Sequence, residues 1–345
     1  MQGLVAQPGK AHTTRVEDVD EPAGDGVAVR VLEIGVCGTD REISEGVFGA
    51  APEGETELVM GHEMVGVVHR DGHGFSKGDL VAATVRRSCG HCLACSEGAP
   101  DSCLSGDYVE RGITRLDGFA RELVIEDPAQ LIAIPRPLGR LGVLAEPTSI
   151  CARGVRHALA IGSRQPWLLQ RALVVGGGAI GLLSTMLLRL AGVEVWTASL
   201  EESNAIADAL GAHYVSTKHT ELAELGRFDL VVEAAGDAQL MADSLGLLRR
   251  GGVACLLGID GREGKAQIEN RVLGVDTVLE NRVLFGSVNA NRQDWLTGVE
   301  ALDRAKREFE GALEQLVAKR VPLDRFEEAF AFHGGKATLV LSEER

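Results

Sequence analysis

The sequence predicts an α/β fold in two domains, one of them rich in β-strands and the other a doubly wound parallel sheet. Its 345 residues are a length typical of about two domains. Up to residue 144, short apolar runs such as 26–32 and 63–68 are separated by glycine-containing turns, which is typical of a small β barrel or sandwich. From residue 146 to residue 286, apolar strands alternate with helical patterns, and this alternation indicates parallel strands joined by helices.

The elements of the second half follow from the spacing of their apolar residues. Apolar runs predict strands at residues 172–175, 194–198, 228–232 and 253–257. Helical spacing predicts helices at residues 180–191, 204–210 and 239–248. Beyond residue 286 we expect one charged helix over residues 295–318 and a strand over residues 337–341 that pairs with the first domain. The predicted boundaries are 1–150, 151–286 and, returning to the first domain, 287–345.

The charge balance argues against a nucleic-acid partner. The chain carries 35 Lys and Arg against 50 Asp and Glu, for a net charge of −15, whereas binding to nucleic-acid phosphates needs a basic surface. The uncharged stretch 172–188 is too short and too rich in glycine to span a membrane. Residues 1–10 lack the apolar segment of a signal peptide. We therefore expect a cytoplasmic protein that acts on a small molecule.

A glycine-rich loop indicates dinucleotide binding. Gly176, Gly178 and Gly181 form the pattern G-x-G-x-x-G between an apolar strand and a helix, which is the context that this pattern requires. The first glycine allows the tight turn, the second lets the backbone approach a pyrophosphate, and the third permits close packing of the helix. We expect Ala179 and Ile180, inside the pattern, to contact the cofactor as well. The alternative is an ordinary tight turn in an α/β sheet.

The end of the second strand of such a sheet decides between NAD and NADP. NAD proteins carry an acidic residue there, and NADP proteins an arginine nearby. This chain has Ser199 at that position, with no Lys or Arg close to it in sequence, while Glu201 and Glu202 would repel a 2′-phosphate. We therefore expect NAD rather than NADP.

Four clustered cysteines indicate a structural metal site. Cys89, Cys92, Cys95 and Cys103 have the spacing C-x2-C-x2-C-x7-C. Four thiolates complete a tetrahedral shell around zinc and leave no open position, which is the pattern of a structural site. An iron–sulfur cluster is the alternative, although nothing else in the sequence suggests electron transfer. The odd number of cysteines, seven in a chain of this length, argues against a disulfide framework.

A second set of residues is typical of a catalytic zinc site. Cys37 and, downstream, His62 and Glu63 offer a thiolate, an imidazole and a carboxylate, which suit an open zinc site. Zinc there would act as a Lewis acid on an alcohol oxygen, so that hydride can pass to the nicotinamide. Glu146 is a candidate fourth ligand, exchanging with water, and Thr39 is a candidate start of a proton relay. Each residue alone would suit a core or turn position, whereas their joint order indicates one site.

The order of these motifs resembles the zinc-containing medium-chain alcohol dehydrogenases over essentially the whole chain. The motifs are Cys-Gly-Thr-Asp at 37–40, Gly-His-Glu at 61–63, Lys-Gly-Asp-Leu-Val at 77–81, the cysteine lobe at 89–103 and the glycine loop. The resemblance implies a GroES-like catalytic domain and a Rossmann domain, with the active site in the cleft between them. It also implies two zinc ions per chain, one catalytic and one structural. Finally, it implies a homo-oligomer, a dimer or tetramer, often joined through an edge strand of the Rossmann sheet.

A closer resemblance is to the archaeal-type glucose (aldose) 1-dehydrogenases of that family. It rests on motifs at 37–43, 110–113, 116–119, 144–147 and 286–289. It implies a catalytic zinc surrounded by Cys37, His62 and Glu63. It also implies contacts to sugar hydroxyls or to the zinc from Glu110, Glu146 and Asn289. We expect additional cofactor contacts from Ile259, Ser287, Val288 and Asn289.

Two positions depart from this subfamily. Val85 stands where the subfamily often has a sugar-binding asparagine, and Ser199 stands where arginines often bind NADP. We expect zinc-dependent transfer of a hydride from a sugar or polyol, such as the C1 hydroxyl of a glucose-like aldose, to NAD(P). One alternative is a zinc alcohol dehydrogenase or carbonyl reductase for a less polar metabolite. The other is a non-catalytic dinucleotide-binding protein, against which the retained zinc-ligand residues argue.

Overall fold

The computed structural model describes residues 1–343, in which strands and helices are distributed over two compact units. The strands are β1 (Gln2–Ala6), β2 (Arg15–Asp18), β3 (Val27–Val36), β4 (Leu58–Val59), β5 (Glu63–Val68), β6 (Leu80–Ala83), β7 (Arg86–Arg87), β8 (Val109–Arg111), β9 (Arg115–Leu116), β10 (Leu123–Glu126), β11 (Leu131–Ala133), β12 (Arg171–Val175), β13 (Glu194–Ser199), β14 (His213–Ser216), β15 (Phe228–Glu233), β16 (Leu248–Leu256), β17 (Val283–Gly286), β18 (Lys319–Pro322) and β19 (Ala337–Val340).

The helices are α1 (Gly38–Ser44), α2 (Leu93–Ser96), α3 (Ala145–Gly162), α4 (Ala179–Leu190), α5 (Ala205–Ala209), α6 (Ala238–Asp243), α7 (Thr277–Leu279), α8 (Arg292–Glu308), α9 (Ala312–Leu316) and α10 (Phe326–Phe330). Shorter 3-10 turns lie at Pro100–Ser102, Pro128–Gln130, Arg136–Leu144, Leu222–Leu225, Ser244–Leu247 and Leu323–Arg325, and a π turn lies at Val272–Asp276. None of the helices within residues 1–343 combines the length and the apolar character needed to cross a bilayer.

The first unit is built around the long strand β3. It comprises Met1–Ser149, Asn289–Asp303 and the chain from Val317 onward. Its main sheet has the order β11-β6-β5-β3-β19-β18, and β10 also pairs with β3. The strand expected over residues 337–341 is confirmed as β19, which runs antiparallel to β3. The register between β3 and β5 sets Gly35 opposite Glu63. Cys37, which follows β3, and His62, which precedes β5, are therefore neighbours.

The second unit is a six-stranded parallel sheet with helices. It comprises Ile150–Val288 and Arg304–Leu316, and its strand order is β14-β13-β12-β15-β16-β17. In β12, Ala172 and Val174 pack in the core on one face, and Leu173 and Val175 pack in the core on the other. Burial of both faces explains the uninterrupted apolar runs in the sequence. This strand order is that of dinucleotide-binding sheets, which bind their ligand beyond the carboxyl ends of the central strands.

Three differences from the sequence predictions follow from local geometry. The prediction of a single helix over residues 295–318 is wrong, because α8 and α9 are separate helices. Gly311 between them has φ +74°, a left-handed conformation that ends helices. Residues 239–248 form α6 and a 3-10 turn instead of one α-helix. The segment 304–316 groups with the second unit, because α9 contacts α5.

Candidate zinc and dinucleotide sites

The four-cysteine lobe has the geometry of a closed zinc site. The sulfur atoms of Cys89, Cys92, Cys95 and Cys103 all lie within 4.8 Å of one another, and none forms a disulfide. Cys92 Sγ and Cys103 Sγ are 3.8 Å apart. Zn–S bonds of about 2.3 Å in a tetrahedron place the sulfurs about 3.8 Å apart, so the four residues fit a zinc ion.

The surroundings of the lobe favour thiolates at two of its cysteines. The hydroxyl of Ser105, with the backbone N–H groups of His91 and Cys92, lowers the pKa of Cys89 to about 5. The Ser105 hydroxyl also lowers the pKa of Cys103. Burial raises the pKa of Cys95 to about 11. Because thiolates are the metal-binding form of cysteine, the lowered pKa values of Cys89 and Cys103 favour metal binding by these two residues.

A second ligand cluster lies where β3 ends and β5 begins. Cys37 precedes α1, and its Sγ lies 3.2 Å from Nε2 of His62. Asp40, in the first turn of α1, completes a group whose ligand atoms all lie within 4.8 Å. Asp40 and His62 are buried, and Cys37 is half-buried. A thiolate and an imidazole nitrogen side by side suit zinc, and the residues therefore fit the ion expected here.

Asp40 lies beside the imidazole of His62, on the side of Nδ1. Nδ1 of His62 faces Oδ1 of Asp40 at 3.5 Å, longer than a hydrogen bond, and Nδ1 has no hydrogen-bond partner among the described residues. Oδ2 of Asp40 accepts the backbone N–H of Cys37 at 2.9 Å. Burial lowers the pKa of His62, but the negative charges of Cys37 and Asp40 outweigh it and raise the pKa well above its ordinary value. Metal-binding histidines commonly use such a carboxylate on the nitrogen that faces away from the metal.

Glu63 and Glu146 lie in the same buried region without joining the ligand cluster. Lys336 Nζ approaches Glu63 at 2.7 Å, and both side chains are almost fully buried. Burial and the charge of Glu63 raise the pKa of Glu146 to about 7. Glu63, expected beside the zinc, thus forms an ion pair with Lys336, and Glu146 lies close enough for the charge of Glu63 to raise its pKa.

Two of the expected sugar-binding residues, Glu110 and Asn289, are in contact with each other. Asn289 Nδ2 donates to Glu110 Oε1 at 2.7 Å, and Arg86 Nε donates to the same oxygen at 3.0 Å. Among residues 1–343 no hydrogen bond reaches Glu110 Oε2, which is left to accept a hydroxyl proton. Val85, next to Arg86, is buried. Thr39 is half-buried on α1.

The glycine-rich loop has the geometry that a dinucleotide needs. Gly178 caps the N-terminus of α4. A Cβ on Gly181 would lie 1.9 Å from the carbonyl oxygen of Gly176, so only glycine allows the helix to pack this closely. A cavity of about 1000 Å³ opens at the carboxyl ends of the strands, and Gly176, Gly178 and Ser199 are among the residues that line it. The second unit therefore offers space for a nucleotide where the strand order predicts it.

The other expected cofactor residues are spread around this region. Ala179 and Ile180 form the first turn of α4 with Gly181. Ile259 and Val288 are exposed. Ser287 Oγ is buried and has no hydrogen-bond partner within residues 1–343, so a cofactor group is a suitable partner for it.

The sequence reasoning missed three residues of these sites. Asp40 stands in the Cys-Gly-Thr-Asp motif, and the usual need of a metal-binding histidine for a carboxylate could have identified it. Arg86 follows Val85 directly, but its pairing with Glu110 has no signature in sequence. Lys336 lies 273 positions from Glu63, and no local pattern connects the two.

Family models match nearly the whole chain. The model described as the alcohol dehydrogenase GroES-like domain matches residues 23–136. The model described as the glucose dehydrogenase C-terminus matches residues 139–341. The first covers the part of the chain that carries both cysteine-containing sites, and the second covers the parallel sheet and the returning segment.

Curated relatives and solved structures agree with the family models. A glucose 1-dehydrogenase of Methanocella arvoryzae is 41% identical over 343 residues, covering 95% of each chain. A glucose 1-dehydrogenase of Thermoproteus tenax is 37% identical and covers 99% of each chain. The structure of Haloferax mediterranei glucose dehydrogenase in complex with NADP, Zn and gluconolactone has a TM-score of 0.91 at 30% identity, with 100% of both chains covered. The chain belongs to the glucose dehydrogenase group of the zinc-containing medium-chain alcohol dehydrogenases.

Proposed function

We propose that this protein is a zinc-dependent dehydrogenase that oxidises the C1 hydroxyl of a glucose-like aldose with a nicotinamide dinucleotide. The observation that carries the proposal is the contact of Cys37 Sγ, which is half-buried, with Nε2 of the buried His62 at 3.2 Å, with Asp40 behind the imidazole. The glucose 1-dehydrogenases among its relatives support the choice of substrate.

The residues divide the work of the reaction among them. Zinc, when bound, polarises an alcohol oxygen as a Lewis acid and so makes its proton easier to remove. Cys37 and His62 would hold the ion, and Glu63 and Glu146 are the candidates for the rest of its shell. Thr39 would take the hydroxyl proton into a relay.

The hydroxyl-binding part of the site would be formed by Glu110. Its Oε1 is fixed by Arg86 and Asn289, which leaves Oε2 directed to a substrate hydroxyl. Asn289 Oδ1 already accepts the backbone N–H of Ala290 at 2.8 Å, so Asn289 would act mainly through Glu110. A rigid carboxylate suits a sugar, which presents many hydroxyl donors.

A less polar substrate is the second candidate, and Val85 favours it. Val85 is 3% exposed and offers no hydrogen bond from its side chain, where related enzymes often carry an asparagine. The same zinc chemistry would then act on another alcohol, or on a carbonyl in the reverse direction.

We further infer two zinc ions per chain and a preference for NAD. The lobe and the Cys37 cluster each fit one ion. No arginine follows β13, where relatives of this type often bind the 2′-phosphate of NADP. The seven free thiols suit a reducing compartment, which supports a cytoplasmic location.

We also propose that the protein forms a homo-oligomer through β17. β17 is the last strand of its sheet, and an unpaired strand edge readily adds a strand from another chain. Val278 and Leu279, just before it, are 68% and 65% exposed. A second copy of this chain, pairing edge to edge, would cover these apolar side chains.

The proposal is tested by comparing Cys37→Ser with Cys103→Ser. Each variant is expected to lose about one zinc per chain, because each removes one ligand of a different site. Aldose oxidation, followed by nicotinamide absorbance with D-glucose, D-galactose, D-xylose and several polyols, should disappear in the first variant only. Folded Cys103→Ser protein should retain turnover. Full activity of Cys37→Ser would refute the zinc mechanism, whereas wild-type activity on simple alcohols alone would favour the second candidate.

A further inference from the structure

The end of β13 is tied to the neighbouring edge strand by a compact hydrogen-bond network. The Ser199 hydroxyl donates to the Glu201 carboxylate. Tyr214, on β14, has its hydroxyl 2.8 Å from Ser199 Oγ and donates to the backbone oxygen of Glu201 at 2.7 Å. Each hydroxyl has one proton: Ser199 gives its proton to the carboxylate and Tyr214 gives its proton to the backbone oxygen, so the two hydroxyl oxygens are in contact without a hydrogen bond of their own. Both the backbone and the side chain of Glu201 are thereby fixed.

This network lies against the glycine-rich loop. A Cβ built on Gly177 would lie 2.6 Å from Ser199 Oγ, and Ser199 and Glu201 line the same cavity as Gly176 and Gly178. The glycines would take the pyrophosphate of a dinucleotide. The Glu201 carboxylate therefore borders the part of the cavity next to the pyrophosphate, toward the adenosine.

We propose that Tyr214 and Ser199 are positioning residues that hold the Glu201 carboxylate as the acceptor for the adenosine ribose hydroxyls, and that they thereby make the protein select NAD over NADP. This inference rests on the dinucleotide use stated under the proposed function. It assigns to a residue two positions beyond the strand the role that an acidic residue at the strand end has in other NAD proteins.

The chemistry of the two cofactors distinguishes them at this carboxylate. The 2′-hydroxyl of NAD is a donor, and the second oxygen of Glu201 is available to accept it. The 2′-phosphate of NADP carries a charge of about −1.5 to −2 and would be repelled by a fixed carboxylate. Without Tyr214, the loop after β13 would lose the anchor on its backbone at Glu201, and without Ser199 it would lose the anchor on the Glu201 side chain; in either case Glu201 could turn away from the cavity.

Glu202 provides a matched control. It is the next residue along the chain and is also exposed, but it is bound by His219 at 2.8 Å and Lys218 at 3.2 Å. It is not among the residues that line the cavity. Glu202→Gln therefore changes the net charge of the loop by the same amount as Glu201→Gln, but it leaves the Glu201 carboxylate in place as the acceptor.

The experiment measures the dissociation constants of NADH and NADPH by nicotinamide fluorescence with the zinc-loaded protein. The variants are Glu201→Gln, Tyr214→Phe, Ser199→Ala and the control Glu202→Gln. Loss of a hydrogen bond to a charged group should weaken NADH binding by roughly tenfold or more in Glu201→Gln, and NADPH binding should strengthen. Tyr214→Phe and Ser199→Ala should shift the NADH-to-NADPH ratio in the same direction by a smaller factor. Glu202→Gln should keep the wild-type ratio.

Equal ratios in Glu201→Gln and Glu202→Gln would overturn the inference, as would a wild-type protein that binds NADPH more tightly than NADH. A wild-type ratio in Tyr214→Phe and Ser199→Ala, with a changed ratio in Glu201→Gln, would refute the positioning roles. The binding assay needs no sugar. NADH selectivity with no turnover of any aldose would therefore support this inference while refuting the proposed substrate.

Discussion

The imidazole of His62 lies between the thiol of Cys37 and the carboxylate of Asp40. Asp40→Asn keeps the shape of the side chain but removes the charge that orients Nδ1. Loss of such a partner typically costs about 10–100-fold in metal affinity or activity. We expect a loss of that size in kcat, together with weaker zinc retention during dialysis against a chelator.

Asp294→Asn is the control for this prediction. Asp294 is also buried in the first unit, at 1% exposure, and accepts a backbone N–H from Asn291 at the start of α8. Its loss should lower the stability and leave the zinc content unchanged. If both variants keep their zinc and their kcat equally well, Asp40 has no orienting role.

Lys336 balances the negative charge beside the Cys37 cluster. Replacing it with methionine leaves Glu63 buried without its partner, and breaking a buried ion pair in this way typically costs about 3–5 kcal/mol. We expect a loss of that order in the free energy of unfolding, measured by urea denaturation. The double variant Lys336→Met with Glu63→Gln should recover most of it, because no unpaired charge remains. Equal destabilisation of the single and double variants would contradict the electrostatic explanation.

The chemistry at the residue scale was predictable where it is local in sequence. The spacing of Cys89, Cys92, Cys95 and Cys103 predicts their clustering, which the sulfur distances match. Cys37 and His62 were predicted from their motifs and their order. The contact of Lys336 with Glu63 was not, since the two residues lie 273 positions apart and the segment with Lys336 is positioned by the pairing of β19 with β3.

The edge strand β17 is expected to form the contact between copies of the chain. Leu284, in the middle of β17, is 36% exposed and would be covered by a second copy in the proposed oligomer. Leu284→Lys places a positive charge on this edge. In the oligomer that charge would lose its water or lie opposite the same lysine of the second copy, and charged side chains on edge strands commonly prevent such pairing. We expect the mass measured by light scattering after gel filtration to fall toward that of one chain.

Leu168→Lys is the control for this experiment. Leu168 is 67% exposed but lies in the segment between α3 and β12, away from β17 in sequence. It should keep the wild-type mass. An unchanged mass in Leu284→Lys would place the association surface elsewhere.

Elements with strong periodicity were predicted well, and elements controlled by single residues were not. The parallel strands appeared as apolar runs because both faces of the sheet are buried. The prediction of one helix over 295–318 was wrong at Gly311. Its positive φ interrupts the helix although the sequence on both sides has a helical pattern. Short strands such as β7 and β9 have two residues each and show no periodicity at all.

At the scale of the whole molecule, the division into a β-rich unit and a parallel-sheet unit follows from the change of pattern near residue 146. The assignment of residues 304–316 to the second unit does not, because α8 runs through the boundary without a break. The acidic net charge of −15 agrees with a small-molecule substrate but does not identify it. That identification depends on side chains such as Glu110 and Arg86, whose contact forms only on folding.

The position of β19 next to β3 affects the order in which the two units can fold during synthesis. The strand pairs with β3 on one side and with β18 on the other, so a segment that is translated long after β3 occupies an interior place in the sheet that contains β3. The parallel-sheet unit is almost complete before that segment is translated and can fold while synthesis continues. The first unit must wait, with one edge of β3 unpaired, until β19 has been translated. Until then the chain also lacks Lys336, the buried partner of Glu63, so the surroundings of Cys37 and His62 are incomplete.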